Sequence, residues 1–276
     1  MNGRRLAAGA TLAEAALMMT ACGGSGGSGG GSSDDRIKIG IKFDQPGLGL
    51  KDGNTYTGFD VNVATYVAQK LGFAADKIDW IQAPSAQRET LISTGQVKLV
   101  VATYSITDTR KEKVSFAGPY FIAGQDLLVQ ASNTDITGPD TLTGKKLCSV
   151  TGSTSATKVK EQVPGVNLQE FGTYSECVAA LAAGSIDAVT TDDTILAGYA
   201  AQAQYKGKLK VVGKPFSEER YGIGLKKGDT ALCTKVTDAI KSMVSDGSWQ
   251  QFVDNNLGPA GYKPGAGNPP TPDACS

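Results

Sequence analysis

Residues 91–103, LISTGQVKLVVAT, return at an offset of 89 as residues 180–192, ALAAGSIDAVTTD. In both copies a glycine, Gly95 or Gly184, closes an apolar helix before a short buried strand. Upstream of the first copy, Ile37, Ile39 and Ile41 alternate as one face of a strand, and Asp60 can cap a helix with Val63, Val67 and Leu71 on one stripe. A strand at 78–81, a helix at 85–94 and a strand at 99–103 complete a βαβαβ order, which argues a parallel sheet with helices on its faces. The second copy ends a similar series: strand 146–150, helix 154–162, strand 166–171, helix 175–183 and strand 186–190. Two such α/β halves turn the carboxyl ends of their strands toward each other, so a cleft between lobes is the expected site. Beyond Val212, a strand at 221–225 and helices at 230–244 and 249–255 are read as crossing back to cover the first lobe. The expected division is therefore 37–130 and 221–264 for lobe 1 and 131–220 for lobe 2, with hinges near 129–131 and 215–221. A Gly- and Pro-rich tail, 265–276, is expected to be irregular and held only through Cys275.

The 276 residues contain no histidine, and 27 basic side chains balance 27 acidic ones. Without imidazole there is no Ser-His-Asp or Cys-His nucleophile, no neutral-pH histidine base and no histidine metal ligand. Charge balance leaves no basic excess for a phosphate backbone, so a nucleic-acid partner is not expected. The absence of histidine also predicts binding that varies little between about pH 6 and 8, because no unperturbed side chain titrates there. Arg4 and Arg5 precede an apolar stretch that runs to Ala21 and Cys22, which reads as an export signal over 1–22. The Gly/Ser run that opens the 23–36 segment reads as a flexible tether. Within it, Gly23 to Gly27 satisfies G-x-S-x-G without a strand or helix around it, and the P-loop-like 138–146 has the wrong spacing. The other cysteines, Cys148, Cys177, Cys233 and Cys275, allow three connectivities; Cys148–Cys177 and Cys233–Cys275 are expected because each then stays within one region.

Polar residues gather where the duplicated strands end. In the first half Thr103, Ser105 and Arg110 follow the strand, and a guanidinium fork suits a carboxylate. In the second half Asp192 ends the strand and suits an ammonium group, while the turn at 151–154 offers backbone N–H groups and a helix start to an anion. Arg88 adds a second cation beside the cleft. Together these fit a zwitterion carrying a further negative group. Taken singly, Arg110 can equally pair with Asp108 or Glu112 at the surface, Arg88 can be a solvated helix residue, and Asp192 can cap the next helix.

The segments IGIKFDQPGLGL, GFDVNVATYVA, PSAQRETLI, ATYSITDTR, FAGPYF and SVTGST resemble the amino-acid-binding proteins of ABC importers, the polar-amino-acid type, and more narrowly actinobacterial glutamate-binding lipoproteins. The resemblance implies a two-lobed periplasmic-binding-protein-like fold (type II), α/β with a mixed sheet flanked by helices in each lobe. By that resemblance the carboxylate is held by Arg110 with Thr103 and Ser105 and by the loop Gly152, Ser153 and Thr154. Asp192 then takes the ammonium, Arg88 with Ser85 the side-chain carboxylate, and Asp44 borders the cleft. It further implies a monomer without cofactor, lipid-modified at Cys22, that delivers glutamate to a permease and its ATPase; aspartate, glutamine and asparagine are the competing ligands. The alternatives in other classes are a sensing module and a dehydratase-like enzyme on the same scaffold.

Overall fold

The computed structural model describes residues 36–275. The expected leader, the lipid-modified Cys22 and all but the last residue of the tether lie outside that range.

Lobe 1 opens with β1 (Ile37–Ile41) and a small antiparallel sheet of β2 (Asp44–Gln45), β3 (Gly49–Asp52) and β4 (Thr55–Thr57). Helix α1 (Phe59–Lys70), β5 (Ile78–Gln82), α2 (Arg88–Ser93), β6 (Leu99–Val100), α3 (Asp108–Lys111) and β7 (Val114–Ala123) follow. The chain then builds lobe 2 from β8 (Gln125–Gln130), β9 (Lys146–Val150), α4 (Thr154–Gln162), β10 (Asn167–Phe171), α5 (Tyr174–Ala182), β11 (Ala188–Asp192), α6 (Asp193–Ala201) and β12 (Leu209–Val211). It returns to lobe 1 with β13 (Glu219–Lys226), α7 (Thr230–Ser245) and α8 (Ser248–Asn256).

Each lobe holds a mixed sheet, ordered β5-β1-β6-β13-β7 in lobe 1 and β10-β9-β11-β8-β12 in lobe 2. Three neighbouring strands are parallel in each, as the βαβαβ reading requires. The fourth strand, β13 or β8, is antiparallel and is supplied by the chain just after it enters from the other lobe. This moves the expected boundaries. Residues 125–130 were assigned to lobe 1, but β8 pairs with β11 and β12, so the first crossing is at Gly124. The second crossing lies between Val211 and Glu219, because β13 already pairs with β7 from Glu219. In β8, Leu127, Leu128 and Val129 are all buried, so the strand has no alternation to betray which sheet it joins.

An aromatic cluster ties the returning segment to the core of lobe 1. Phe121 stacks on Tyr221 and on Trp249 with ring centroids 5.8 and 5.9 Å apart, and Phe59 meets both Phe121 and Trp249 edge-on. Trp249 Nε1 donates to the Tyr120 carbonyl at 2.8 Å, which satisfies its one buried donor. Both expected disulfides are present: Cys148–Cys177 joins β9 to α5, and Cys233–Cys275 joins α7 to the tail. The tail is held more widely than through Cys275. Asn268 exchanges two hydrogen bonds with the Ile122 backbone, and Asp273 pairs with Arg220 at 2.9 Å.

Candidate ligand-binding site

The strand ends of the two lobes meet around a small, tightly closed cavity. Lobe 1 lines it with Ser85, Arg88, Thr103 and Arg110. The α4 turn of lobe 2 adds Ser153, Thr154 and Ser155, and β11 with the starts of α5 and α6 adds Thr191, Asp192, Tyr174 and Ile195. Of the residues expected from sequence, seven therefore border one cavity, and Ser105, Gly152 and Asp44 do not.

Arg110 sits on the short α3, whose start is fixed by Thr107 accepting from the Arg110 backbone N–H at 3.2 Å. It is buried, and neither Asp108 nor Glu112 is its partner. Its Nε lies 3.4 Å from Glu89, Nη1 donates to the Ser105 carbonyl at 2.8 Å, and Nη2 donates across the cleft to the Gly152 carbonyl at 3.2 Å. Ser105 and Gly152 thus orient the guanidinium through their carbonyls rather than facing the cavity. Ser105 also meets Thr154 of lobe 2, hydroxyl to hydroxyl, at 3.3 Å.

Arg88 is no solvated helix residue: it is 3% exposed, and its Nε donates only to the Ala83 carbonyl, at 3.4 Å. Its guanidinium and that of Arg110 lie 5.1 and 4.8 Å from the centroid of the buried Tyr104 ring, which offers both cations its π-face. Burial first and then the neighbouring Arg110 push the Arg88 pKa down, yet a guanidinium stays protonated. Among the described residues Arg88 has no carboxylate within ion-pair distance; Glu89 and Asp60 answer its charge only from further away.

Thr103 has φ 47°, a left-handed conformation that is uncommon for a β-branched residue. Asp60 holds it there. The Asp60 carboxylate accepts from the Thr103 N–H at 2.8 Å and from Tyr120 Oη at 2.7 Å. This corrects the reading of Asp60 as a helix cap: Gly58 occupies that position, and Asp60 is fully buried inside α1. Burial, partly offset by those two hydrogen bonds, raises its pKa to about 6.

On the opposite wall Asp192 ends β11 at the position before α6, but its side chain makes no capping bond. One oxygen accepts instead from Tyr221 Oη at 2.6 Å, a group that β13 brings from lobe 1. Burial above all, and then the charge of Glu219, raise the Asp192 pKa far above the carboxylate range. Ser153 caps α4 by accepting from the Ala156 N–H at 3.0 Å, and Ser153, Thr154 and Ser155 of that helix start line the cavity's lobe 2 side.

Asp44 borders the cleft without lining the cavity. It reaches from lobe 1 to α5 of lobe 2, where one oxygen accepts from the Tyr174 and Ser175 N–H groups at 3.1 and 3.3 Å and from Tyr199 Oη at 3.2 Å. Thr173 and Glu176 satisfy the neighbouring amides of α5 by a reciprocal capping box, so Asp44 supplies the two acceptors that the helix start still lacks. It is a clasp between lobes. Sequence reasoning also passed over Ser155, Thr191, Ile195 and Tyr174. Ser155 and Thr191 adjoin predicted site residues and follow from the same turn and strand end, whereas Tyr174 and Ile195 come from helix starts that only the packing of lobe 2 aims at the cavity.

The arrangement is complementary to a small zwitterion: guanidinium groups on one wall, a carboxylate on the other, hydroxyls and helix N–H groups between. Comparison with known proteins agrees with this. The chain is 48% identical over 233 residues to the glutamate-binding protein GluB of Corynebacterium efficiens, covering 80% of this chain and 79% of the relative. It is 35% identical over 221 residues to the ABC transporter glutamine-binding protein GlnH of Bacillus subtilis, covering 79% and 80%. The structure resembles an ancestral arginine-binding protein bound to glutamine with a TM-score of 0.75 at 33% identity, covering 81% of this chain and 98% of that one. The sequence model of the bacterial extracellular solute-binding proteins, family 3, matches residues 37–259, and the chain belongs to that family.

Proposed function

We propose that this solute-binding protein closes its two lobes on an acidic L-amino acid, glutamate, and delivers it to the permease and ATPase of an ABC importer. The observation that carries the reading is the cavity in which Arg110 and Arg88 face Asp192. In it the α-carboxylate is taken by Arg110, Thr103 and the turn at 152–154, the ammonium by Asp192, and the side-chain carboxylate by Arg88 with Ser85. The charge of Arg88, which no carboxylate contacts directly, favours an acid over an amide. The relative named for glutamate, at 48% identity against 35% for the one named for glutamine, supports the same choice. The leader and Cys22 support a lipid anchor that keeps the receptor at the outer face of the membrane, the tether giving the lobes reach.

A dehydratase-like role would need a proton donor in the cavity, and Asp192 with its raised pKa is the candidate. An arriving ammonium group lowers that pKa again, so the group loses its proton on binding and serves as an ion-pair partner. Titration calorimetry with glutamate tests the assignment. Arg110→Met should weaken binding by about two orders of magnitude or more, since it strands a buried carboxylate without its partner. Affinity equal to that of the unmodified protein would refute the site.

A further inference from the structure

Lys42 directly follows β1, and its side chain is only 2% exposed. A lysine is rarely buried unless its charge is answered. Here the answer is incomplete. Its ammonium is 4.0 Å from Asp44 Oδ1, and the other Asp44 oxygen is committed to the α5 amides and Tyr199. The same ammonium lies 5.8 Å from the centroid of the Tyr174 ring, which lines the cavity. Burial and then the charge of Arg88 lower its pKa to about 8, which places the two cations within electrostatic reach of each other. Lys42 thus stands behind the Tyr174 wall of the cavity, within electrostatic reach of Arg88, which shares the Tyr104 ring with Arg110, while Glu89, Asp44 and Asp60 stand against these cations.

We propose that Lys42 is a specificity-determining residue: lying behind Tyr174, it adds its charge to that of Arg88 and makes this end of the cavity prefer a carboxylate to a carboxamide. The proposal rests on the acidic-amino-acid reading above and names the group that separates glutamate from glutamine. A buried ammonium acts over a few ångströms of low dielectric, so it rewards a charged side chain much more than a neutral isostere. The pair of ligands isolates that effect, because glutamate and glutamine share shape, α-carboxylate and ammonium.

Calorimetry of the wild type, Lys42→Met and Lys42→Gln with both ligands tests this, with thermal unfolding to check folding. Methionine matches the stem of lysine, and Asp44, deprived of the ammonium, keeps the Tyr174 and Ser175 N–H groups and Tyr199 Oη as donors, so a folded protein of lowered stability is expected. The ratio of glutamate to glutamine affinity should fall roughly tenfold or more in both variants. A structural role acting through Asp44 would shift both affinities together and leave the ratio unchanged, which would overturn the proposal, as would no change at all. A wild type that prefers glutamine would overturn the acidic reading and this proposal with it; a wild-type preference for glutamate with an unchanged ratio in the variants overturns Lys42 alone.

Discussion

Burial makes Asp192 a pH-sensitive residue in a protein without histidine. The expectation of flat binding between about pH 6 and 8 holds for side chains at their ordinary values, and Asp192 has left that class. Glu219 and Asp193 add to the desolvation that raises its pKa, against Tyr221 and Lys158, which lower it. An ammonium ligand stabilises the ionised form, so the bound value lies below the unliganded one and binding releases a proton between them. The contribution of Asp192 is then complete above the raised value and is lost as pH falls through it toward the bound value, by up to about tenfold per pH unit. Glutamate should bind more weakly at about pH 5.5 than at about pH 8, and Asp192→Asn should bind weakly with that slope removed. Calorimetry in buffers of different ionisation enthalpy measures the proton directly; a constant affinity would show that another group meets the ammonium. At this scale the sequence is readable wherever backbone direction alone decides. Arg110, Thr103 and Asp192 follow strand ends and arrive at the cleft. Lys42 was illegible because strand alternation puts it, like Lys38, on the outward face of β1; Lys38 is exposed and Lys42 is covered by Tyr174 of the other lobe. The partners of Asp44 were illegible for the same reason, since they lie 130 residues or more away.

Backbone meets backbone across the cleft at Gly198, where a Cβ would stand 2.2 Å from the Pro46 carbonyl oxygen, and beside the ligand cavity at Gly152. Gly152, in the turn between β9 and α4, has φ 76°, and a Cβ there would stand 2.8 Å from Ala86 Cα on the lobe 1 side. The conformation disfavours any other residue, and the obstacle is backbone that cannot rotate away. Gly152→Ala should therefore hold the lobes apart, reducing affinity by roughly tenfold or more while costing only about 1 kcal/mol of unliganded stability. Calorimetry beside thermal unfolding separates the two effects; undiminished affinity would mean that the liganded lobes do not approach this closely. The turn, its Ser153 cap and the two α/β series were legible because glycine, cap and apolar period agree there. The long pair β7 and β8 was not: nearly every residue from Val114 to Val129 is buried, and a continuous apolar run says neither where one strand stops nor which sheet takes the next.

For the whole molecule, the covalent links and the contacts across the cleft differ in kind. The lobes are joined by two chain crossings that lie against each other; a Cβ on Gly124 would be 2.6 Å from Pro215 Cβ, and the Phe216 N–H donates to the Gln125 carbonyl at 2.9 Å. Across the cleft many contacts are polar: the Asp44 clasp, Arg110 to Gly152, Ser105 to Thr154, Tyr221 to Asp192, and Lys158 to Glu219; the backbone packing of Gly152 on Ala86 and of Gly198 on Pro46 adds to them. Water can replace the polar contacts at small cost, which suits a receptor that must release what it captures. The disulfides obey the same division. Cys148–Cys177 spans 29 residues inside lobe 2, and Cys233–Cys275 spans 42 inside lobe 1 and its tail, so neither bridges the cleft. Loop closure of these lengths corresponds to about 3–4 kcal/mol of stability for each bridge. The double substitution of Cys233 and Cys275 by serine should lower the unfolding free energy in urea by about that amount. Glutamate affinity, by contrast, should stay within a few-fold, because the bridge restrains α7 and the tail rather than the path of closure. A large loss of affinity in that variant, with its fold intact by circular dichroism, would place the tail in the closing motion and refute the separation of stabilising and moving parts.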